Sequence, residues 1–211
     1  MKTVQCKSLI FLLVSFAFLF VIFSGISLAQ EDVKERTDFK ASDDETKPLV
    51  VYYSRTGNCK MVATALKNQL GCELAEIVSK EKKGVGSIMR DQLFNLDDDQ
   101  QPFVKELKNY NPIVIAAPIW FMRLSSPART FIKKTDLMGK DVYIFTTSCG
   151  PLAGWVSNTI RGFATSHGLN VKSVQGFQIS KKTEGGKRVP KAQADFDKDI
   201  QEFLIKTPIE Q

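Results

Sequence analysis

The sequence is poor in the residues on which most metal and acid–base chemistry depends. A single histidine, His167, stands among 211 residues, and the four cysteines show no spacing of the zinc or iron–sulfur kind. A metal centre is therefore not expected, and no catalytic acid, base or nucleophile stands out. His167 precedes Gly168 at the predicted end of a helix, where C-capping accounts for it. Cys6 lies in the leading segment, which leaves Cys59, Cys72 and Cys149, and three thiols cannot all pair within one chain. Blocks of one charge are also scarce: 29 Lys and Arg stand against 23 Asp and Glu and are scattered, apart from Lys80 to Lys83 and Lys181 to Arg188, which read as solvated loops. With no motif that reads bases, nucleic acid is not an expected partner.

Long apolar runs occur once, at the front. Lys2 and Lys7 precede an apolar segment from Leu9 to Phe23, and Ser27-Leu28-Ala29 offers small residues at the spacing of a signal-peptidase site. Export with cleavage after Ala29 is the expectation, placing the protein in a periplasmic or extracellular compartment. The rival is an uncleaved anchor, because Ser8 to Ala29 carries no charge over 22 residues and can span a bilayer. Removal of residues 1–29 takes two lysines and no acids, leaving 27 basic against 23 acidic residues and a formal charge of +4. Residues 30–47 are charged and small, with only Val33 and Phe39 large and apolar, and read as a disordered tether. The remainder is 48–206, one ordinary globular domain, with a short tail at 207–211; 43% hydrophobic and 25% charged residues over the whole chain suit that size.

Within the domain, apolar strands alternate with amphipathic helices. Leu49 to Tyr53 is a buried strand. Val62, Ala65, Leu66 and Leu70 then recur at helical spacing, with Gly71 as a stop. Cys72 to Val78 reads as an edge strand. A glycine-broken loop, a short helix near Ile88 to Phe94, an acidic turn at Asp97 to Asp99 and a short helix from Pro102 to Lys108 follow. Ile113 to Ala117 is an unbroken apolar strand, and Ser125-Ser126-Pro127 starts a helix. Val142 to Phe145 is a strand, Val156 to Ala164 a helix, Leu169 to Ile179 a strand, and Phe196 to Leu204 a closing helix. Trp155 reads as the anchor of the helix that it precedes. Five such alternations predict an α/β fold, a doubly wound five-stranded parallel sheet with helices on both faces in three layers. Ligands of such sheets bind outside the carboxyl ends of the strands, where strand order reverses.

The loop after the first strand is Ser54-Arg55-Thr56-Gly57-Asn58-Cys59, which opens a helix. The first turn of a helix has backbone N–H groups without intrahelical partners, and the helix dipole adds partial positive charge there, so an anion fits. Gly57 allows close approach, and Ser54 and Thr56 add hydroxyls. Two further loops share the same end of the sheet: Pro118-Ile119-Trp120-Phe121 after the third strand, and Ser148-Cys149-Gly150 after the fourth. Trp120 offers a flat stacking surface, and Ser148 to Gly150 bring backbone amides alongside.

Over residues 48–206 these motifs resemble the flavodoxin family. The family's phosphate loop has a hydroxyl residue, any residue, Thr, Gly, any residue and Thr; Ser54 to Cys59 conforms at five of the six positions. Tyr110 to Trp120 is similar to the family's third strand and its aromatic loop, and Ser125 to Ile132 to the helix beyond. The resemblance implies strand order 2-1-3-4-5 and FMN as cofactor, with Ser54 to Cys59 at its phosphate, Pro118 to Phe121 covering its ring and Ser148 to Gly150 beside it. Two residues depart from the pattern. Cys59 replaces a threonine hydroxyl with a weaker S–H donor, which Lys60 can offset, and Cys149 stands where glycine is common. In the implied order the ends of strands one and four lie about 10 Å apart, beyond the roughly 7 Å Cα limit of a disulfide. Cys72 belongs at the opposite end of the sheet, and three free thiols follow. The resemblance is compatible with an electron-transfer flavoprotein working with a redox partner protein or a small-molecule acceptor, with an FMN-dependent NAD(P)H:quinone-type reductase, or with a domain that has lost FMN.

Overall fold

The computed structural model describes residues 47–206. The expected signal or anchor segment (1–29), all of the tether except Lys47, and the tail (207–211) lie outside the described residues. The sheet begins at β1 (Lys47–Tyr52), followed by α1 (Asn58–Leu70), β2 (Glu73–Glu76) and α2 (Val85–Leu93). Then come β3 (Tyr110–Trp120), β4 (Arg123–Leu124), α3 (Ser126–Lys134), β5 (Asp141–Ser148) and α4 (Gly154–Ser166). The chain closes with β6 (Asn170–Gln178), β7 (Ser180–Lys182), β8 (Arg188–Pro190) and α5 (Gln193–Lys206).

The main sheet runs β2-β1-β3-β5-β6, with every neighbouring pair parallel. Counting the five long strands in chain order, this is the expected 2-1-3-4-5 arrangement. Burial explains why β3 is central: Ile113, Val114, Ile115, Ala116 and Ala117 are all fully buried, as a strand covered on both faces requires. Alternate residues feed two cores. Leu49, Val51, Ile113, Ile115, Val142 and Ile144 pack with Phe131 and Ile132 of α3 and Val156 and Ile160 of α4. Val50, Tyr52, Val114, Ala116, Tyr143 and Phe145 pack with Val62 and Leu66 of α1 and Phe196 and Ile200 of α5. This period of two is the geometry of the pleat.

Four local readings are corrected. Pro102 to Lys108 is not a helix; only a single 3-10 turn forms, at Leu107–Asn109, because Phe103 and Leu107 reach the core from irregular chain, Phe103 set edge-on to Phe131. Lys181 to Arg188 is not a plain loop but a hairpin, with β7 pairing antiparallel to β8. Lys83, read as solvated, is buried. Trp155 does not anchor α4: it lies in the first turn and is 59% exposed. His167 does sit at the C-terminal end of α4, with Nδ1 2.8 Å from the Phe163 carbonyl oxygen.

The shared core at β3 sets the first expectation. Ile115→Ala removes a fully buried side chain and should cost about 2–5 kcal/mol of unfolding free energy, as for other buried large-to-small changes, read as a lowered midpoint in urea denaturation.

Candidate functional site

The parallel register brings three loops together. Tyr52 pairs with Ala116, Pro118 pairs with Thr147, and the Tyr53 amide donates to the Ala116 carbonyl at 3.0 Å. Ser54 to Cys59, Pro118 to Met122 and Ser148 to Leu152 therefore leave the carboxyl ends of three adjacent strands.

In the first loop, Gly57 holds φ at 90° as N-cap of α1 and supplies no side-chain cap; this left-handed backbone suits glycine. The first intrahelical bond runs from the Met61 amide to the Gly57 carbonyl, so the amides of Asn58, Cys59 and Lys60 lack partners within the helix. The Asn58 amide nitrogen Nδ2 donates to Thr56 Oγ1 at 3.0 Å, shaping the turn. Arg55 leaves the loop sideways, its Nε donating to the Lys83 carbonyl at 3.0 Å. The Cys59 side chain points into the protein: Sγ lies 2.8 Å from Thr147 Oγ1, because α1 crosses over β3 and reaches β5. Strand spacing alone did not foresee that contact. Burial pushes the Cys59 thiol up to about 12 despite the Thr147 hydrogen bond, so it remains a neutral thiol at ordinary pH.

The second loop is a tight hairpin. Trp120 pairs with Arg123 across it, and both intervening residues have positive φ, Phe121 at 48° and Met122 at 60°. Two left-handed residues in a two-residue connection match the type I′ pattern, which normally takes Asn and Gly; bulky side chains here cost about 1–3 kcal/mol each. Trp120 is half-buried, set edge-on to Tyr53 with centroids 5.7 Å apart at 87°. The Pro118 carbonyl accepts from the Ser125 amide at 3.0 Å, closing the base of the hairpin.

The third loop is fastened from β6 and β8. Ser148 Oγ donates to the Gly150 carbonyl at 2.6 Å, and the Ile179 amide donates to the Ser148 carbonyl at 3.0 Å. Arg188 Nη1 donates to the Cys149 carbonyl at 3.1 Å. Leu152 lies so close to Gly176 that a Cβ there would meet the Leu152 Cβ at 2.5 Å. Arg188 and Gly176 escaped the sequence reading because their roles depend on a hairpin and a packing contact that no local pattern announces. The Cys149 side chain is exposed, and Cys59, Cys72 and Cys149 are all free.

Beneath the first two loops lies a buried ionic cluster. Lys83 Nζ reaches Asp91 Oδ2 at 2.6 Å and Asp98 Oδ1 at 2.8 Å, with all three side chains at most 5% exposed. Burial alone would raise Asp91, but hydrogen bonds from Lys83 and Arg90 hold its carboxyl below the usual range. Likewise, the two carboxylates keep Lys83 above the ordinary lysine value in spite of burial. Gln92, also buried, is bonded by Arg129, and its Nε2 donates to the Leu124 carbonyl at 3.5 Å.

Two expectations follow from these geometries. With Cys6 changed to serine, Cys149 should react with a thiol reagent such as dithionitrobenzoate in the native protein, whereas Cys59 and Cys72 should react only on unfolding; a second rapidly reacting thiol would contradict the burial described. Lys83→Met should cost about 3–5 kcal/mol, since it leaves Asp98 buried without Lys83 and Asp91 with Arg90 alone. For Asp91, whose folded pKa is depressed, the stabilisation is complete above the ordinary carboxylate value of about 4 and disappears as pH falls through the lower folded value. Urea midpoints measured from neutral to strongly acidic pH should show that loss in the native sequence.

Comparison with known proteins agrees with this architecture. A family profile described as a flavodoxin domain matches residues 49–153, which span β1 to the end of the third loop. No curated protein matches. Among solved structures, a flavoprotein from Lactobacillus acidophilus in complex with FMN superimposes with a TM-score of 0.54 at 24% identity, covering 62% of this chain and 93% of its own. A candidate flavoprotein from Bacteroides eggerthii gives 0.58 at 24% identity, covering 78% and 99%. One from Bacteroides uniformis gives 0.56 at 20%, covering 74% and 98%. At these identities the structures speak for the fold. With the profile match spanning the three strands and loops that build the site, residues 49–153 belong to the flavodoxin-domain family.

Proposed function

We propose that this protein binds FMN in the cleft between the three loops and serves in electron transfer. The observation that carries the reading is the opening of α1: glycine as N-cap, no side-chain cap, and three first-turn amides without helical partners, directly after a buried strand and beside an aromatic hairpin. A phosphate monoester suits that end, since the amides and the dipole both favour an anion. Ser54 Oγ and Thr56 Oγ1 add hydroxyls, while the Cys59 thiol, turned toward Thr147, contributes through its backbone N–H alone. Trp120 is held upright by Tyr53, and Phe121 projects from the hairpin tip, so a flat ring has apolar surface to lie against. The Ser148 to Gly150 backbone, fixed by Arg188 and Ile179, borders the same cleft.

FMN supplies the electron chemistry when bound, accepting and donating one or two electrons through its ring. The chain's part is to hold the phosphate, orient the ring and set the polarity around it. The cleft's loops contribute no histidine and no buried carboxylate, which favours an electron carrier over an enzyme with its own proton-transfer residues. The electron partner is a redox protein or a small-molecule acceptor. The leading segment supports an exported location, or a membrane-anchored one if it is retained.

The test is direct. Purified protein reconstituted with FMN should be yellow with one flavin per chain, and binding should quench tryptophan fluorescence. Trp120→Ala should weaken FMN binding by about 1 kcal/mol or more, as loss of an aromatic stacking surface does, and Trp155→Ala by less. Equal losses would reject the assignment of Trp120 to the ring, and a colourless protein with unchanged fluorescence in excess FMN would reject the site.

A further inference from the structure

Helix α2 is built with its polarity reversed. Its buried residues are Ile88, Asp91 and Gln92, and its solvent side carries Val85 at 66%, Met89 at 43% and Leu93 at 68% exposure. These three are spaced i, i+4 and i+8, a single stripe. The stripe continues into Phe94 at 71% and Leu96 at 40%. A surface helix ordinarily turns its apolar face inward. Here the buried cluster prevents it: rotating α2 would withdraw Asp91 from Lys83 and leave Lys83 and Asp98 buried without that partner. The apolar stripe is therefore held outward by charge pairing beneath it.

The stripe also adjoins the candidate site. Arg123 Nη1 donates to the Gln92 carbonyl at 3.2 Å, joining the end of α2 to the hairpin whose tip, Phe121 and Met122, is likewise more than half exposed. Arg55 joins the segment before α2 to the anion-binding loop. Of the exposed charges alongside, Lys80, Lys82, Arg90 and Arg55 stand with Glu81, Asp97 and Asp99, and Lys133 and Lys134 pair with Asp97, so the rim is mildly basic. Such a rim carries no acidic excess to hold it off a lipid surface.

We propose that the outer face of α2 and the Met122 side of the hairpin tip seat on a lipid bilayer surface. The rest of the chain argues for that occupant. Ahead of β1 stand 22 consecutive uncharged residues, Ser8 to Ala29, enough to span a bilayer. The polar residues 30–46 that follow reach at most about 60 Å when extended, so a retained segment keeps the domain within touching distance of the membrane. At a zwitterionic interface, burial of an apolar stripe depends on area rather than on charge. Docked this way, the cleft opens toward the bilayer, and its electron partner is a membrane-borne acceptor; this last step rests on the FMN reading, whereas the docking does not.

The test uses the full chain with Cys6→Ser and Cys149→Ser, leaving only the buried Cys59 and Cys72, and a single nitroxide label attached at Leu93→Cys or, as control, at Glu202→Cys on exposed α5. Collision with oxygen and with a water-soluble nickel chelate is measured by electron paramagnetic resonance, with and without phosphatidylcholine vesicles. Vesicles should raise the oxygen-to-nickel ratio at position 93 about tenfold, as for a side chain entering the interface, leave position 202 unchanged, and do so equally at high salt. Adding Met89→Glu should abolish the rise. The proposal is overturned if position 93 stays as accessible to nickel as position 202 on vesicles. It is equally overturned if position 93 is already shielded without lipid, meaning that the leading segment or another protein surface covers it, or if labels at 93 broaden one another, meaning that a second copy does. Flavin absorbance of the same samples separates the two claims: docking without bound FMN would overturn the cofactor reading alone.

Discussion

Burial of β3 on both faces is the constraint from which the rest of the structure follows. Five consecutive residues, Ile113 to Ala117, have no solvent contact, so helices must cover the sheet above and below, and each crossover must return the chain to the same end of the sheet. That requirement puts the loops after β1, β3 and β5 side by side at the carboxyl edge. It also carries α1 over β3, so that Cys59 meets Thr147 two strands away.

Around that core the site is stiffened by polar contacts rather than by further apolar burial. Arg188 grips the Cys149 carbonyl from β8, Leu152 presses against Gly176, and Tyr53 buttresses Trp120. The Phe121–Met122 turn accepts left-handed backbone that bulky residues disfavour, a cost that the paired β3–β4 hairpin offsets while presenting two apolar side chains at the rim. The Lys83–Asp91–Asp98 cluster works in the same way on a larger scale, setting the rotation of a whole helix. Buried ion pairs contribute little net stability compared with apolar packing, but removing one member is costly, so they fix a conformation well.

Much of this was legible in the residues. The apolar runs, the periodic helices and the Ser54 to Cys59 junction each have a local cause in propensity, spacing or an unpartnered helix end, and the strand order came through resemblance to a family. The edge strand and the first helix, with its glycine stop at Gly71, fall within a few residues of their expected places. The stretch from Ser79 to Asn111 is the least legible. Its lysines and aspartates look like solvent-facing residues in any local window, and its exposed Val85, Met89 and Leu93 look like a core face.

The division has a plain physical basis. Sequence alone determined the alternation of strands and helices, the two-faced burial of the central strand, and the glycine-led helix start after β1 with its uncapped amides, because each depends on neighbours along the chain. Tertiary structure alone decided that Lys83 and Asp98 are buried partners, that α2 turns its apolar side outward, that Cys59 faces Thr147, and that β8 holds the third loop. Those outcomes depend on charges and contacts brought together from distant parts of the chain, where the energy of pairing a buried ion exceeds the preference of any local pattern.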